Sequence, residues 1–260
     1  MITIKNEKQI QGIEQSCHEL GKLLDILESG FIKEGMNTKE IDEFCYNYII
    51  NLGGTPAFLN YGGFPASACI SVNDVVIHGI PSKNQILKNG DLVSVDLGIN
   101  LNNYISDSAR TIIVGDKTTQ ENEKLCKITK ECLALGIKAA SKKNARVSDI
   151  GRAVYNHATK NGFGVVKDYC GHGVGIDLHE SPEIPNYVSH LSPNPRLRAG
   201  MVIAIEPMIN LGSSKVRTNF EDGWTVKTAD GKPSAHFEHT ILITKDGAKI
   251  LTKSQRMNNE

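Results

Sequence analysis

Lys88-Asn89-Gly90-Asp91-Leu92-Val93-Ser94-Val95-Asp96 and Arg198-Ala199-Gly200-Met201-Val202-Ile203-Ala204-Ile205-Glu206 share one grammar. Each runs from a basic residue through a spacer and a glycine into an apolar strand, and each closes on an acid. A buried strand has no structural need for a carboxylate at its tip, since an unpaired buried charge is costly. Two acids in matched positions point to a duplicated scaffold whose halves each deliver a carboxylate to a shared site.

The repeat extends outward from these strands. Ile41, Tyr46, Asn47 and Gly53 recur as Ile150, Tyr155, Asn156 and Gly162 at an offset of 109, and Gly90 and Asp96 answer to Gly200 and Glu206 at 110. His78-Gly79-Ile80-Pro81 is echoed by His179-Glu180-Ser181-Pro182 at a shorter offset. Apolar spacing of Ile10, Ile13, Cys17, Leu20, Leu24 and Leu27 predicts a helix within 7–31. Thr38 is expected to cap a second helix that buries Ile41, Phe44, Cys45, Tyr48 and Ile49. Helices are predicted over 119–141 and, capped by Ser148, over 149–161. Strands are predicted at 69–77, 92–99, 104–113, 164–169, 201–210, 216–220, 224–228 and 236–244, with Asp230-Gly231 turning between the last two. The order helix, helix, strands occurs twice, which reads as two related α+β halves. No linker rich in Pro, Gly or Ser separates them. Residues 1–260 are therefore expected to form a single domain, with halves of about 1–115 and 116–260.

The bulk properties exclude several classes. The 260 residues are 40% hydrophobic and 22% charged with zero net charge, which argues against a surface devoted to polyanions. The basic run Lys142-Lys143-Asn144-Ala145-Arg146 reads best as a solvated helix end. The N-terminal stretch has no apolar core of a secretory signal, and no run approaches the ~18 apolar residues of a membrane span. The six cysteines are scattered without a CxxC pair and read as reduced core thiols, so a cytoplasmic setting is expected.

Four acids and one histidine stand out chemically. Asp96 and Asp107 flank Asn100-Leu101-Asn102-Asn103, and a hairpin about Leu101 and Asn102 places the two carboxylates opposite each other. Like charges so placed destabilise a sheet unless something compensates, and a divalent cation does so directly. An edge position in a merely polar Ser106-Asp107-Ser108 is the plain alternative. Glu206 precedes Pro207, and Glu238 lies in Ala235-His236-Phe237-Glu238-His239-Thr240. Either alone could pair with an arginine. His172 lies in Cys170-Gly171-His172-Gly173-Val174-Gly175, where a lone histidine reads equally as a loop residue. The glycines carry no phosphate-loop signature. Taken together, an oxygen-rich set with one imidazole suits Mn, Fe(II), Co or Zn. Four carboxylates balance two divalent ions, whereas a structural zinc site would favour Cys and His ligands.

The stretches Ser71–Pro81, Cys170–Gly175, Ile205-Glu206-Pro207-Met208, Asp222-Gly223-Trp224-Thr225-Val226 and Phe237-Glu238-His239-Thr240, with the Asp96/Asp107 pair, resemble type I methionine aminopeptidases. The resemblance runs from about Ile4 to Thr252. It implies a pita-bread fold, in which two pseudo-symmetric halves of antiparallel sheet covered by helices enclose a dinuclear metal site. It implies that Asp96 chelates one metal, that Asp107 and Glu238 bridge both, and that His172 and Glu206 complete the ligand set of the other metal. A hydroxide held between two metals would attack the first peptide carbonyl, with Glu206 shuttling the proton, His179 stabilising the oxyanion and His78 contacting the scissile amide. The same resemblance implies a methionine pocket of Phe58, Tyr61, Phe64, Cys69, Leu178 and Trp224, in which Phe58 and Leu178 depart from the residues common in bacterial relatives. It further implies a monovalent-cation site near Asn73, Val75 and Ser234. The expected substrate is the N-terminus of a nascent chain with a small second residue. A monomer is expected, with the ribosome surface as a further candidate partner and with no membrane and no direct nucleic-acid site. Two other readings stay open here: an Xaa-Pro aminopeptidase on the same fold, and a metal-free binding protein that has kept the scaffold.

Overall fold

In the computed structural model, which describes residues 1–189 and 192–254, four helices cover a set of antiparallel sheets. They are α1 (Glu7–Ile26), α2 (Thr38–Asn51), α3 (Gln120–Ala140) and α4 (Val147–Lys160). A long hairpin, Leu92–Leu101 with Tyr104–Ile113, carries Ala68–Val72 and Thr55–Pro56 along its other edge. In the second half, Val202–Ile205 lies at the centre of a five-stranded sheet, between His239–Ile243 and Gly171–Gly173. Helices α1 and α2 pack Leu20, Leu24, Ile41, Cys45 and Ile49 onto Val93, Val95, Leu97 and Ile99. Helices α3 and α4 pack Leu125, Cys132, Ile150 and Val154 onto Ile203 and Ile205. Side chains alternate along a strand, so the apolar residues that face the helices turn Asp96 and Glu206 to the opposite side.

The duplication is visible in contacts as well as residues. An isolated bridge, Asn37 to Ile86, precedes α2, and Arg146 to Arg196 precedes α4. The Glu40 carboxylate accepts the Asn37 N–H at 2.7 Å, and the Asp149 carboxylate accepts the Arg146 N–H at 2.9 Å. Thr38 N–H donates to the Gln85 carbonyl as Val147 N–H donates to that of Pro195. Leu87 N–H donates to the Met36 carbonyl, and Leu197 N–H to that of Ala145, both at 2.8 Å. Gly90 and Gly200 share a left-handed backbone, with φ of 94° and 89°.

Several expected boundaries move, each for a local reason. Asn37 rather than Thr38 caps α2, because its side chain and Glu40 form a reciprocal capping box. The Thr38 hydroxyl instead donates to the Ser82 carbonyl and accepts the Ser82 N–H. Asp149 likewise starts α4 at Arg146, two residues before Ser148. The first helix ends at Ile26 and continues as a wider turn to Phe31, where Gly30 takes φ 107°. The 69–77 strand breaks at Asn73, which adopts φ 54°. Pro207 has no N–H to donate and divides 201–210 into Val202–Ile205 and Met208–Asn210. The 236–244 segment is likewise two strands, Ser234–His236 and His239–Ile243. Asp230-Gly231 does turn the chain, but Val226–Thr228 pairs with Val75–Ile77 and Val216–Thr218 rather than with the strand that follows.

Candidate metal centre and substrate pocket

The hairpin turn is at Asn102-Asn103, both with positive φ, one residue later than the sequence expectation. Adjacent left-handed residues suit the tight turn of twisted strands. The register therefore sets Asp96 opposite Ala109 and Asp107 opposite Gly98. The two acids share a face as diagonal neighbours instead of facing each other directly. A seam of side-chain hydrogen bonds then ties this hairpin to the second half. Ser108 Oγ donates to the Glu238 carbonyl at 2.7 Å, Glu238 N–H donates to the Ala109 carbonyl at 2.9 Å, and Thr240 Oγ1 donates to the Asp107 carbonyl at 2.7 Å. Glu238 and Asp107 are thereby brought together across the boundary between the halves. Glu206 follows the central strand of the second sheet, and its carbonyl accepts the Asn186 amide at 3.0 Å.

His172 reaches the same point from a narrow strand. A Cβ at Gly171 would stand 2.3 Å from the Ala204 carbonyl oxygen, and one at Gly173 would stand 2.5 Å from that of Ser181. Only glycines allow strands so close on either side. His172 Nδ1 lies 2.9 Å from the Gly173 carbonyl, the geometry of an Nδ1–H donor, which leaves the Nε2 lone pair free. Nε2 stands 3.5 Å from Glu206 Oε1 and 3.7 Å from Asp107 Oδ2. Burial and the neighbouring His179 push His172 down to about 3, so it is neutral, the form that binds metal.

The carboxylates lack the partners such groups need. Asp107 and Glu238 are buried, and Asp107 Oδ1, Asp96 Oδ1 and Glu238 Oε1 have no hydrogen-bond partner among the described residues. Burial, with Glu206 adding to it and His236 opposing it, raises Asp96 to about 7, and burial raises Glu206 to about 8. Asp107 and Glu238 are pushed well above the usual carboxylate range by burial and by the neighbouring acids. Orphaned, crowded acids of this kind are explained by a cation. Asp107, His172 and Glu238 offer ligand atoms that all lie within 4.8 Å of one another. The donor set thus fits a hard to borderline divalent metal.

A cavity of about 210 Å³ opens from the acids and gathers the expected site residues. Its walls include Asp96, Asp107, His172, Glu206 and Glu238 with His78 and His179, and Phe58, Tyr61, Phe64, Cys69, Leu178 and Trp224. Phe58, Phe64, Cys69 and Leu178 form one buried apolar cluster with the half-buried Trp224 against it. Phe64 and Trp224 meet edge to face at 5.3 Å. Tyr61 lies at the exposed rim, its hydroxyl 2.9 Å from His179 Nδ1. His78 takes a left-handed backbone (φ 56°) and sits edge-on to Tyr169 and Trp224. Burial, and the charges of His236 and His179, lower His78 to about 4. Away from the cavity, Asn73 and Ser234 also meet: the Ser234 N–H donates to the Asn73 carbonyl at 2.9 Å, while the Ser234 hydroxyl donates to Ile209.

Some residues at or beside the cavity carried no sequence signal that assigned them a role. Ile77, Tyr169 and Cys170 line the cavity. Buried His236 stands 3.6 Å from Glu206 Oε2. His236 lies two residues before Glu238, and the period of two along extended chain was the available clue.

Comparison with known proteins places these features in a family. A model of metallopeptidase family M24 matches residues 11–245. A methionine aminopeptidase of Treponema pallidum is 51% identical over 253 residues, covering 97% of both chains. The crystal structure of a methionine aminopeptidase from Thermotoga maritima superposes with a TM-score of 0.92 at 40% identity, covering 97% of this chain and all of that one. A prolidase from Pyrococcus furiosus shares the fold at a TM-score of 0.76 and 28% identity, with 97% of this chain matched to 66% of that one.

Proposed function

This chain belongs to metallopeptidase family M24, and from that premise we propose how its residues release an N-terminal methionine. It is a metal-dependent aminopeptidase acting on the N-termini of polypeptides, with the pita-bread fold of its relatives. The observation that carries the reading is a set of orphaned, crowded carboxylates opening into an aromatic, sulfur-lined cavity.

In this proposal Asp96, Asp107, His172, Glu206 and Glu238 hold two divalent ions, whose four units of positive charge balance the four carboxylates. The metal when bound supplies Lewis acidity, polarising the scissile carbonyl and making water more acidic. Glu206 takes up the proton of the attacking water and returns it to the leaving amine. The Tyr61 hydroxyl donates to His179 Nδ1, which leaves N–H on Nε2 to stabilise the developing oxyanion. His78 contacts the scissile amide. Phe58, Phe64, Cys69, Leu178 and Trp224 receive the methionine side chain, since a thioether packs well against aromatic edges. Tyr61, His78 and His179 line the cavity beside the acids and, in this reading, face the second residue, for which a small side chain is preferred. The carbonyls of Asn73, Val75 and Ser234 complete the proposal as a monovalent-cation site. No helix among the described residues is long and apolar enough to cross a membrane. Action in the cytoplasm, as a monomer near the ribosome, is part of the same reading.

The test starts from chelated protein reloaded separately with Mn, Fe(II), Co and Zn. Release of methionine from Met-Ala-Ser, with two ions bound per chain at full activity, is expected. Failure with every metal would sink the proposal, and preferential cleavage of Ala-Pro peptides would favour an Xaa-Pro enzyme.

A further inference from the structure

His236 stands in the metal centre without a role in the set above. Its backbone is fixed: the N–H donates to Thr111 Oγ1, and the carbonyl accepts the Thr111 hydroxyl, both at 2.8 Å. The residue is 1% exposed, yet neither ring nitrogen has a hydrogen-bond partner among the described residues. An imidazole is not placed in such surroundings for packing, because an apolar side chain of the same size leaves no orphaned polar atom. Nε2 stands 3.6 Å from Glu206 Oε2, while the other oxygen of that carboxylate, Oε1, stands 3.5 Å from His172 Nε2. Glu206 therefore lies between two imidazoles, one near each oxygen.

We infer that His236 is a positioning residue for Glu206: it donates Nε2–H to Oε2 and so turns Oε1 toward His172 and the metal. The inference rests on the proposal that Glu206 is a metal ligand. The present separation is a few tenths of an ångström beyond the ~3.2 Å limit of an N–H···O bond, which a small side-chain rotation closes. Carboxylates that ligate metals are commonly oriented by such an outer hydrogen bond. Direct ligation by His236 is the less favoured geometry, since the compact group of ligand atoms comprises Asp107, His172 and Glu238.

Mn(II) binding to chelated protein, followed by titration calorimetry in the wild type and in Glu206→Ala, His236→Leu and His236→Gln, tests this. Glu206→Ala is expected to weaken Mn(II) binding, which checks the ligand assignment itself. His236→Leu should bind the same number of ions about 10–100-fold more weakly. His236→Gln keeps a side-chain N–H donor and should recover affinity to within a few-fold. Wild-type affinity in His236→Leu, alongside weakened Glu206→Ala, would overturn the inference while leaving the ligand assignment intact. A His236→Gln variant as weak as His236→Leu, or the loss of one ion in both, would overturn it in favour of direct ligation. Unweakened binding in Glu206→Ala would overturn the ligand assignment and the inference with it. Should His236→Leu fail to fold, the comparison of His236→Gln with wild type decides alone.

Discussion

Lys5→Met should loosen the loop that carries Leu178 and His179, at a cost that can be worked out from one buried ion pair. Lys5 Nζ lies 2.6 Å from Glu180 Oε2, with the two side chains 1% and 6% exposed. Glu180 Oε1 accepts the N–H groups of Ile176 and Asp177 at 2.8 and 3.2 Å. The carboxylate thus shapes the turn immediately before His179, and Lys5 neutralises it from the far end of the chain. Removing the ammonium leaves a buried carboxylate without its counter-charge, which typically costs about 3–5 kcal/mol. For 260 residues the unfolding entropy is about 0.55 kcal/mol/K, so the melting temperature should fall by about 5–9 °C. Glu180→Gln removes the charge that Lys5 meets, so the double variant should be more stable than the sum of the single losses predicts. Thermal melts of the metal-loaded proteins give the three differences. Turnover of Met-Ala-Ser should fall in Lys5→Met with metal content unchanged, because the loop bears His179 but none of the proposed ligands. A Lys5→Met melting point within about 1 °C of wild type, or strict additivity in the double variant, would refute the reasoning.

Chelated protein should lose stability as pH rises. Asp96 and Glu206 are raised to about 7 and about 8, so the native apo form keeps protons that the unfolded chain releases near pH 4. Their contribution to stability is complete below that point and is lost as the pH rises to about 7–8. Calorimetry at pH 5.5 and 8.5 should show a lower apo melting temperature at the higher pH and a larger gain on adding Mn(II); an apo form that stabilises with pH contradicts this. Gly79→Ala places a Cβ 2.3 Å from the Ile70 carbonyl oxygen, so the chain must shift beside His78. A loss of about 1–3 kcal/mol, with reduced turnover and intact metal binding, is expected from melts and metal analysis. Tyr61→Phe removes the hydroxyl 2.9 Å from His179 Nδ1 and should cut kcat roughly 5–10-fold with little change in melting temperature, as the loss of about one hydrogen bond implies. An unchanged kcat with a raised KM would instead assign Tyr61 to substrate binding alone.

What could be read from sequence was what repeats or alternates. The offset of 109–110 foretold paired helix starts, and the structure repeats even their backbone bridges. The four acids and one histidine of the motifs, with the cavity-lining aromatics, converge on one cavity. What escaped was set by contacts distant in sequence or by the competition between neighbouring caps. Thr38 is a sound cap in isolation, but Asn37 has Glu40 at the reciprocal position and Thr38 has Ser82 to bind. The hairpin centre slipped by one residue because Asn100-Leu101-Asn102-Asn103 offered several turns, and only two adjacent left-handed asparagines select the observed one. His236 was quoted within its motif yet unassigned, since its approach to Glu206 depends on how two sheets meet.

The slipped register bears on why the halves do not act alike. Asp96 and Glu206 are equivalent by the repeat, but Asp96 lies within a strand that continues to Leu101, whereas Glu206 lies at a break enforced by Pro207. Continuous pairing fixes Asp96 against Ala109 and places Asp107 two residues away on the same face. The break leaves Glu206 to be oriented by what surrounds it: Asn186 on its carbonyl, His172 at one carboxylate oxygen and His236 at the other. A duplicated strand thus presents one acid held by its own ladder and one held by its neighbours. A carboxylate whose backbone is freed from the ladder has more room to reorient, which suits the proton shuttle we propose for Glu206, and the rigid strand suits Asp96 as the fixed ligand of the same proposal.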